Sequence, residues 1–430
     1  MGIKHARRGT TAVAAMAASM LVLSACGGDS ESGGGEDGGQ ITLTVATFSD
    51  FGYEDLYAEY EAANPNINIE ERRADMEAHH QQLTTQLASG NGAADIVALE
   101  EGFMPRFRAQ AADQFVDLTE YGAADIQDNW LPWKAELANV DGRIIGYGTD
   151  VGSLAMCYRK DKFEEAGLPT DREEVAALWP TWEEYFAQGA EVMSQVPDLK
   201  WYDSANSIYS AILNQSPTSY YDESDNFIME SNPAVRDAFM QAAESAADGQ
   251  SAGLASFTGE WNTAIKNANV ATTVCPAWAL ALIETAAGPE AAGLWDVADV
   301  PGEGGNWGGS WLAVPAQGDH PEEAAKLAAW LTDPAQEARI FESKGLLPST
   351  VEALENQSVV EHTSEYFSNA PIGQIFAASA TDLQPNYRGP QHGDINTEVQ
   401  NALLTVEQGN ATPDEAWNSA LEAAKELAEQ

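Results

Sequence analysis

The fold class of this chain follows from residues 41–99, which read ITLTVATFSDFGYEDLYAEYEAANPNINIEERRADMEAHHQQLTTQLASGNGAADIVAL. Apolar and polar side chains alternate in short stretches, and the two stretches between them have the spacing of amphipathic helices. The expected elements are a strand at 41–46, a helix at 50–63, a strand at 67–71, a helix at 77–89 ended by Gly90, and a strand at 95–99. This β-α-β-α-β order is typical of a parallel sheet covered by helices, so we predict an α/β fold.

The pattern of strands and helices continues toward the C-terminus without an internal repeat. Further strands are expected at 143–149, 154–158, 270–274 and 311–315, and further helices from Thr181, at 321–331, from 394 to about 407, and from Thr412. Thr181 and Thr412 each stand three residues before a glutamate, which is the capping-box signature of a helix start. Since 430 residues exceed what one hydrophobic core usually supports, we predict two α/β lobes in tandem.

The first 40 residues carry the features of an export signal. A basic start precedes a mostly small and apolar stretch that is too short to span a bilayer comfortably. Leu23-Ser24-Ala25-Cys26 resembles the lipobox of bacterial lipoproteins, in which the cysteine is diacylated and becomes the mature N-terminus. We therefore expect a lipoprotein signal peptide at 1–25, lipidation of Cys26, and a flexible Gly/Ser-rich tether at 26–40. The alternative is a plain secretory signal with an incidental cysteine.

The composition is strongly acidic, with 67 Asp and Glu against 21 Lys and Arg and a formal net charge of −46. Such a surface repels phosphate backbones, so nucleic acid is excluded as an expected partner and anionic ligands are disfavoured. No run of 18 or more apolar residues follows residue 40, so no second membrane span is expected.

Two cysteines remain beyond the predicted signal, Cys157 and Cys275. In an oxidising exterior, two leftover cysteines suggest one disulfide. Two buried thiols that pack as small apolar residues explain the same count, so counting leaves both interpretations open.

Catalytic and metal motifs are scarce in this sequence. It has no Gly-x-Ser-x-Gly elbow and no phosphate loop, and residues 302–307 lack the third glycine of a dinucleotide fingerprint. His79 and His80 are adjacent on an expected helix and therefore point to different sides, which is not a metal pair. We expect neither a cofactor nor a metal. A glycosidase carboxylate pair stays open among the 67 acids, but no spacing singles one out.

Twelve tryptophans are a more informative feature. A tryptophan ring offers a flat surface to the apolar faces of a sugar ring, while Asp, Glu, Asn, Arg and His bond its hydroxyl edges. Trp182, Trp330 and Trp417 fall in helix patterns and are expected to pack in the core. Trp278, Trp307 and Trp311 lie beside expected strands in loops rich in Gly and Pro, where contact with a ligand and core packing are both open.

Several segments resemble those of extracellular solute-binding proteins of family 1, the receptor subunits of ATP-driven importers. Asp150–Leu154 with Tyr158–Phe163 resembles the family's strand after the first hinge. The other matching segments are Pro276-Ala277-Trp278, Gly308–Pro315, Glu322–Leu331, Gly345–Ser349, Tyr387–Pro390 and Gly409–Ala416. Within the family, Cys275–Trp278, Gly305–Gly309 and Gly389–Asp394 are most similar to actinobacterial cellobiose and cello-oligosaccharide-binding lipoproteins.

The resemblance implies a two-lobed binding protein of the Venus-flytrap type with three crossovers between its lobes. The implied lobes comprise 41–150 with 308–345 and 151–307 with 346–430. The implied function is a lipid-anchored receptor on the extracellular face of the membrane that closes around an oligosaccharide, most similar to cellobiose receptors. Its implied partners are the sugar, the permease subunits and, through the anchor, the membrane, and it is expected to act as a monomer without enzymatic activity. Xylo- or malto-oligosaccharide receptors, a surface glycoside hydrolase and a carbohydrate-anchoring module are the alternatives.

The candidate ligand-binding residues follow from these loop positions and from the resemblance. Trp278 and Trp307 are the expected stacking platforms, with Trp311 as a further candidate. Asp150 is expected either to accept bonds from ligand hydroxyls or to cap the hinge. Glu100 and Asp50 follow first-lobe strands, where cleft contact and a helix N-terminal charge are both open. The remaining candidates are Tyr387, Arg388 and His392 in one loop, and Asn206.

Overall fold

The first sheet of this protein is built around the strand pattern at 41–99. A computed structural model of the chain describes residues 39–302, 304–381, 383 and 386–429, so the predicted signal and Cys26 lie outside the described residues. The strands are β1 Ile41–Thr47, β2 Ile67–Arg73, β3 Ile96–Glu100, β4 Asn139–Val140, β5 Arg143–Ile144, β6 Tyr147–Gly148, β7 Leu154–Arg159, β8 Thr272–Pro276, β9 Trp295–Ala298 and β10 Ser310–Ala313.

Helices surround these strands along the described chain. The α-helices are α1 Glu54–Ala63, α2 Met76–Ser89, α3 Met104–Gln110, α4 Ala123–Ile126, α5 Pro132–Ala138, α6 Lys160–Glu165, α7 Arg172–Ala176, α8 Trp182–Gln195, α9 Ala205–Leu213, α10 Pro233–Ala247, α11 Gly259–Lys266, α12 Ala279–Ala287, α13 Pro321–Leu331, α14 Pro334–Lys344, α15 Val351–Leu354, α16 Gln357–Val360, α17 Ile372–Thr381, α18 His392–Glu407 and α19 Pro413–Ala428. Short 3-10 helices lie at Ala112–Gln114, Leu118–Tyr121, Gln127–Asn129 and Pro289–Ala291.

The first lobe contains a five-stranded sheet in the order β2-β1-β3-β10-β6. β1 runs parallel to β2 and β3, and β10 returns antiparallel between β3 and β6. The predicted parallel β-α-β-α-β unit is therefore confirmed. A hydrophobic core that includes Leu43, Val45 and Leu327 packs the sheet against helices α1, α2 and α13.

The strand predicted at 143–149 is wrong in one respect, because the segment is divided. Asp141 and Gly142 adopt left-handed backbone conformations and close a short β4–β5 hairpin. The chain then bends, and β6 pairs with β10 in the main sheet. A β-carbon at Gly146 would lie 3.0 Å from the Trp311 β-carbon, so the close approach of the chain to β10 at the bend depends on glycine.

The second lobe contains a three-stranded antiparallel sheet in the order β8-β7-β9. Every residue of β7 is buried, and its side chains alternate between two cores. Met156 and Tyr158 join a core formed with α8, α9 and α10, whereas Ala155 and Cys157 face a core formed with α12 and α17. A disulfide joins Cys157 to Cys275, whose α-carbons are 5.7 Å apart. The disulfide interpretation of the two cysteines is thus confirmed.

The chain passes between the two sheets from β6 to β7 and from β9 to β10, and the segment after α14 corresponds to the third crossover that the resemblance implies. These crossovers are bonded to each other. The Val151 N–H donates to the Leu347 carbonyl over 3.0 Å, and the Gly152 N–H donates to Oδ1 of Asn306 over 2.8 Å. The lobes are therefore joined by three segments, the first of which is bonded to both of the others.

The predicted helix starts and core tryptophans are found where expected. Thr412 and Glu415 form a complete capping box. Thr181 caps α8 by accepting from the Glu184 N–H, but the Glu184 carboxylate accepts from the Thr181 hydroxyl instead of its backbone N–H. Trp182 and Trp417 are buried in the second-lobe core, and Trp330 packs against the first-lobe core. No helix in the described ranges is both long and apolar enough to cross a bilayer.

Candidate ligand-binding cleft

A cavity of about 450 Å³ lies between the two lobes. The first lobe contributes the start of α2, the end of β3 and the start of α3. The second lobe contributes α9, the loop before α11, the second crossover and the start of α18. The cavity lies at the carboxyl end of parallel strand β3, which is where open α/β sheets place their ligands. Five of the expected residues line it: Glu100, Asn206, Trp307, Arg388 and His392.

Two aromatic side chains of the second lobe, Trp307 and Phe257, line the cavity. Trp278 lies behind them, with its ring centroid 5.2 Å from that of Phe257 and 6.1 Å from that of Trp307. Its Nε1 donates to the Trp307 carbonyl over 2.9 Å. Trp278 was expected to be a stacking platform, but it is not among the residues that line the cavity. The structure places Trp278 where it supports the two rings that do line the cavity.

Phe257 was not among the residues expected from the sequence. Its backbone has φ of 66°, in the left-handed region that costs a bulky residue roughly 1–3 kcal/mol. Ring contacts with Trp261 and Trp278, at 5.1 and 5.2 Å between centroids, hold it there. Strain of this kind clusters at functional sites, and no local sequence signal identifies it for a phenylalanine.

Phe103 forms an aromatic surface on the first-lobe side and was also missed. Its ring stacks on His80 with centroids 3.9 Å apart and planes 5° apart. His80 is fixed in turn, because its Nδ1 bonds the Met76 carbonyl and its Nε2 accepts from the Glu100 N–H. Burial lowers the pKa of His80 to about 3, so the ring is neutral and its tautomer follows from these two bonds.

Two adjacent carboxylates, Glu100 and Glu101, stand at the end of β3. Glu100 lines the cavity, and burial raises its pKa to about 7 against the opposing effect of Arg388. Glu101 bonds to Nδ2 of Asn306 and pairs with Arg388 of the second lobe, whose Nη1 lies 3.2 Å from its Oε1. The two carboxylates thus differ, since Glu101 is engaged with the other lobe while Glu100 faces the cavity.

Polar groups complete the second-lobe wall. Within the described residues, Oδ1 of Asn206 is buried without a hydrogen-bond partner. Nδ1 of His392 lies 3.2 Å from the Ser219 hydroxyl, and burial with the neighbouring Arg388 holds the pKa of His392 well below its usual value. Arg388 also donates to Oδ1 of Asn214. The wall therefore offers neutral amide and imidazole groups beside one guanidinium.

Trp311 is the clearest correction among the expected site residues. It is 0% exposed on β10 and packs in the first-lobe core. Its Nε1 donates to the Lys134 carbonyl, and the Lys134 ammonium lies 3.5 Å above its ring centroid. The ring therefore contacts a buried cation and does not reach the cavity.

Three more expected residues lie away from the cavity lining. Asp150 is buried, and its carboxylate accepts from the Thr149 hydroxyl and the Ser310 N–H, which joins two crossovers. This matches the hinge-cap alternative for Asp150. Asp50 is an exposed partner of Lys344, and Tyr387 donates its hydroxyl to Asp225.

A buried charge cluster lies behind the cleft where the crossovers meet. Lys134 is fully buried, and within the described structure its ammonium has no hydrogen-bond partner. Burial lowers the pKa of Lys134 to about 8, while Asp150, Glu101 and Glu337 oppose that shift. Glu337 accepts four bonds from Ser349 and Thr350 on the third crossover. Each crossover therefore carries a residue that belongs to this charge cluster or donates a hydrogen bond to one of its carboxylates.

The described residues include no group of three or more His, Cys, Asp and Glu placed to hold a metal ion. His79 and His80, the closest histidine pair in the sequence, bond instead to backbone carbonyls of Ala98 and Met76.

Comparisons with known proteins agree with this architecture. The family model described as bacterial extracellular solute-binding protein matches residues 55–366. A crystal structure titled extracellular solute-binding protein family 1 is 45% identical, with a TM-score of 0.83, and the match covers 90% of this chain and 100% of that one. The arabinooligosaccharide-binding protein of Halalkalibacterium halodurans is 23% identical over 366 residues, 80% of this chain and 78% of its own. The GacH receptor of Streptomyces glaucescens, solved with acarbose, is 18% identical with a TM-score of 0.76, covering 90% and 98% of the two chains.

Proposed function

This chain belongs to the family of bacterial extracellular solute-binding proteins, and from that premise we propose that it is the lipid-anchored substrate-binding subunit of a carbohydrate ABC importer. Its ligand is an oligosaccharide of the cellobiose and cello-oligosaccharide type, held in the interlobe cleft. One relative named above is an arabinooligosaccharide-binding protein by its name, which supports the sugar class.

The single observation that carries the proposal is the composition of the cavity wall. Phe103 on one lobe and Trp307 and Phe257 on the other offer flat apolar surfaces, and serine, asparagine and carboxylate groups lie between them. Sugar rings combine apolar faces with hydroxyl edges, which matches this arrangement. A volume of about 450 Å³ falls within the roughly 300–1,000 Å³ typical of small-molecule sites.

The cello-type ligand is supported by the segments that resemble cellobiose receptors. Of these, Gly305–Gly309 contributes Trp307, and Gly389–Asp394 contributes Pro390, His392 and Asp394 to the cavity lining. The net charge of −46 disfavours anionic sugars and is compatible with neutral ones.

A thermal-shift panel followed by calorimetry tests the proposal. Cellobiose, cellotriose, xylobiose, maltotriose and arabinotriose are compared at equal concentration. A ligand at 100 times its dissociation constant adds about 2.7 kcal/mol to folded stability, and at equal concentration a tighter ligand adds more. The cello compounds should therefore give the largest shifts in melting temperature. Stabilisation by xylobiose or maltotriose alone would show that the cello-type ligand is wrong, while the receptor role would stand. Steady release of shorter sugars on prolonged incubation would contradict the receptor role itself.

The anchor and the importer are tested separately. Lipidation of Cys26 predicts that the protein partitions with membranes and that Cys26→Ala releases it. In the proposed cycle the sugar favours the closed arrangement of the lobes, and the permease subunits recognise that arrangement. Loss of cellobiose uptake in cells that lack the receptor, with recovery on its return, would support the importer role.

A further inference from the structure

Asp203 lies directly behind the second-lobe wall and is 1% exposed. Its carboxylate accepts five hydrogen bonds from five different residues. Oδ1 accepts from the Ser204 N–H and the Ser207 hydroxyl, and Oδ2 accepts from the Ser256 hydroxyl, Trp261 Nε1 and the Thr273 hydroxyl. Three of these donors, Ser204, Ser207 and Ser256, belong to residues that line the cavity.

The position of Asp203 joins the elements that form this wall. Ser204 and Ser207 lie at the start of α9, Ser256 lies beside the strained Phe257, and Thr273 is on β8. The Leu254 N–H also donates to the Asp203 carbonyl over 3.0 Å. Asp203 is thus the shared partner of α9, the 254–257 loop and the sheet.

The chemistry of a carboxylate fixes the direction of these bonds. An ionised carboxylate only accepts, so the Ser256 hydroxyl must donate its single proton to Asp203. The Ser207 hydroxyl must donate its proton to Asp203 or to the Ser204 carbonyl, since both oxygens lie 2.7 Å from it. The Ser207 and Ser256 oxygens then keep only lone pairs for any other partner. The Trp261 indole and the Ser204 N–H can only donate. The direction of the hydrogen bonds around Asp203 is therefore fixed unless Asp203 is protonated or replaced.

We propose that Asp203 is a positioning residue that sets the hydrogen-bond polarity of the cleft wall, so that Ser207 and Ser256 accept hydrogen bonds from hydroxyl groups of the ligand. This inference rests on the proposed sugar-binding function. It narrows the ligand to one that presents hydroxyl donors to α9 and the 254–257 loop, and it disfavours one that presents only ether or carbonyl oxygens there.

Hydroxyl-replacement analogues measure this polarity directly. Each hydroxyl of cellobiose is replaced in turn by hydrogen or by fluorine, and dissociation constants are measured at pH 8, where the carboxylate is favoured. Fluorine can accept but not donate. At the ring position that faces Ser256, the fluoro and deoxy compounds should therefore bind equally weakly, about tenfold below cellobiose.

Asp203→Asn changes the expected pattern. The asparagine NH₂ donates, so a serine hydroxyl can turn toward the cavity and donate to the ligand. The fluoro compound should then bind several-fold more tightly than the deoxy compound at that one position. A merely structural role would weaken all analogues alike. If the ratio of fluoro to deoxy affinity at every position were the same in wild type and Asp203→Asn, the proposal would be overturned.

Two further variants keep the experiment decisive. Asp296→Asn alters another buried second-lobe aspartate, which pairs with Arg172 away from the cavity lining, and should leave every ratio unchanged. If Asp203→Asn fails to fold, Ser256→Ala identifies the ligand hydroxyl that faces Ser256. This variant should lose affinity for cellobiose but not for the analogues altered at that hydroxyl, and the same hydroxyl should be the one whose fluoro and deoxy analogues bind wild type equally. Loss at any other position would contradict the inference.

A neutron crystal structure of the sugar-free protein separates this inference from the proposed function. The deuteron on Ser256 should point toward Asp203, and the deuteron on Ser207 should point toward Asp203 or the Ser204 carbonyl. Deuterons pointing into the cavity would overturn the inference. If no compound of the cellobiose series binds, the proposed sugar is wrong, and the deuteron positions still decide the polarity of the wall.

Discussion

Arg388 and Glu101 form an ion pair across the cleft, with 3.2 Å between Nη1 and Oε1 and side chains that are only 9% and 5% exposed. Glu101 follows β3 of the first lobe, and Arg388 precedes α18 of the second. Arg388 also lines the cavity. One guanidinium therefore takes part in both the contact between lobes and the wall of the cavity.

We expect Arg388→Gln to lower both the unfolding free energy and the affinity for cellobiose. Removal of one partner leaves the Glu101 carboxylate buried without its cation, which typically costs about 3–5 kcal/mol. Urea denaturation and isothermal calorimetry measure the two effects.

The matched control is Arg339→Gln. Arg339 pairs with Glu59 over 2.9 Å, but these side chains are 48% and 54% exposed, so the expected change is at most about 1 kcal/mol. Equal losses in the two variants would show that the interlobe pair has no special role.

The aromatic wall gives a second prediction. Trp307→Ala should weaken cellobiose binding by about 2–4 kcal/mol, the scale of a buried aromatic anchor, while the fold persists. Trp278→Phe keeps a ring behind the wall and removes the bond to the Trp307 carbonyl, so about 1 kcal/mol is expected.

Trp330→Ala serves as the control for this series, because Trp330 packs against Tyr60 in the first lobe. Calorimetry should find its affinity unchanged. If Trp278→Ala abolished binding while Trp307→Ala left it intact, the assignment of wall and support would be reversed.

The sequence predicted the elements whose pattern is local and failed where distant segments decide. The strands at β1, β2 and β3 and the helix caps at Thr181 and Thr412 depend on nearby residues and were found. Trp311 was a candidate for ligand contact because it stands beside a glycine-rich loop, with core packing as the alternative. Its ring turns inward because Lys134, far earlier in the chain, places a cation against it. No local pattern contains that contact.

The site shows the same division. Glu100 could be anticipated because a residue at the carboxyl end of a parallel strand faces the ligand edge of the sheet. Phe257 could not, since its left-handed backbone depends on rings from Trp261 and Trp278. Asp203 was equally hidden, because its five donors come from separate elements.

Glu100 predicts a pH dependence of binding. Burial raises its pKa to about 7, so its carboxylate is ionised at pH 8, where it can accept from ligand hydroxyls, and protonated at pH 5. Affinity for cellobiose should fall about tenfold over that range as the charge-assisted bond is lost. Glu100→Gln should remove most of this dependence, and an identical pH profile in the variant would contradict the assignment.

The same raised pKa affects folding in a defined direction. In the unfolded chain the Glu100 proton is released near the ordinary value of 4.5, whereas the folded chain retains it to about pH 7. The folded state therefore binds more protons between these values, and the contribution of Glu100 to stability decreases as pH rises through that window. The stability of Glu100→Gln relative to wild type should accordingly increase from pH 4.5 to pH 7.

The disulfide predicts a stability difference that intact mass can verify. Cys157 and Cys275 are separated by 118 residues, and closing a loop of this size typically stabilises a protein by 2–5 kcal/mol. Replacing both by alanine should lower the unfolding free energy by about that amount. Two freely alkylated thiols in the non-reduced wild-type protein would show that the bond is absent in solution.

The last prediction concerns the hinge, where two glycines allow the crossovers to approach each other. A β-carbon at Gly309 would lie 2.5 Å from the Asp150 carbonyl oxygen, and its φ of 111° disfavours other residues. At Gly152 a β-carbon would lie 1.8 Å from the Trp307 carbonyl oxygen. If the lobes rotate about these segments, saturating cellobiose should lower the radius of gyration in small-angle scattering.

Gly309→Ala should weaken both binding and this compaction, because the added methyl separates two crossovers. Gly122→Ala is the matched control, since its φ of 91° carries a similar backbone cost while open space surrounds it. It should lose stability and retain compaction. A radius of gyration that stays constant while calorimetry shows saturation would mean that these glycines only permit close packing in a rigid molecule.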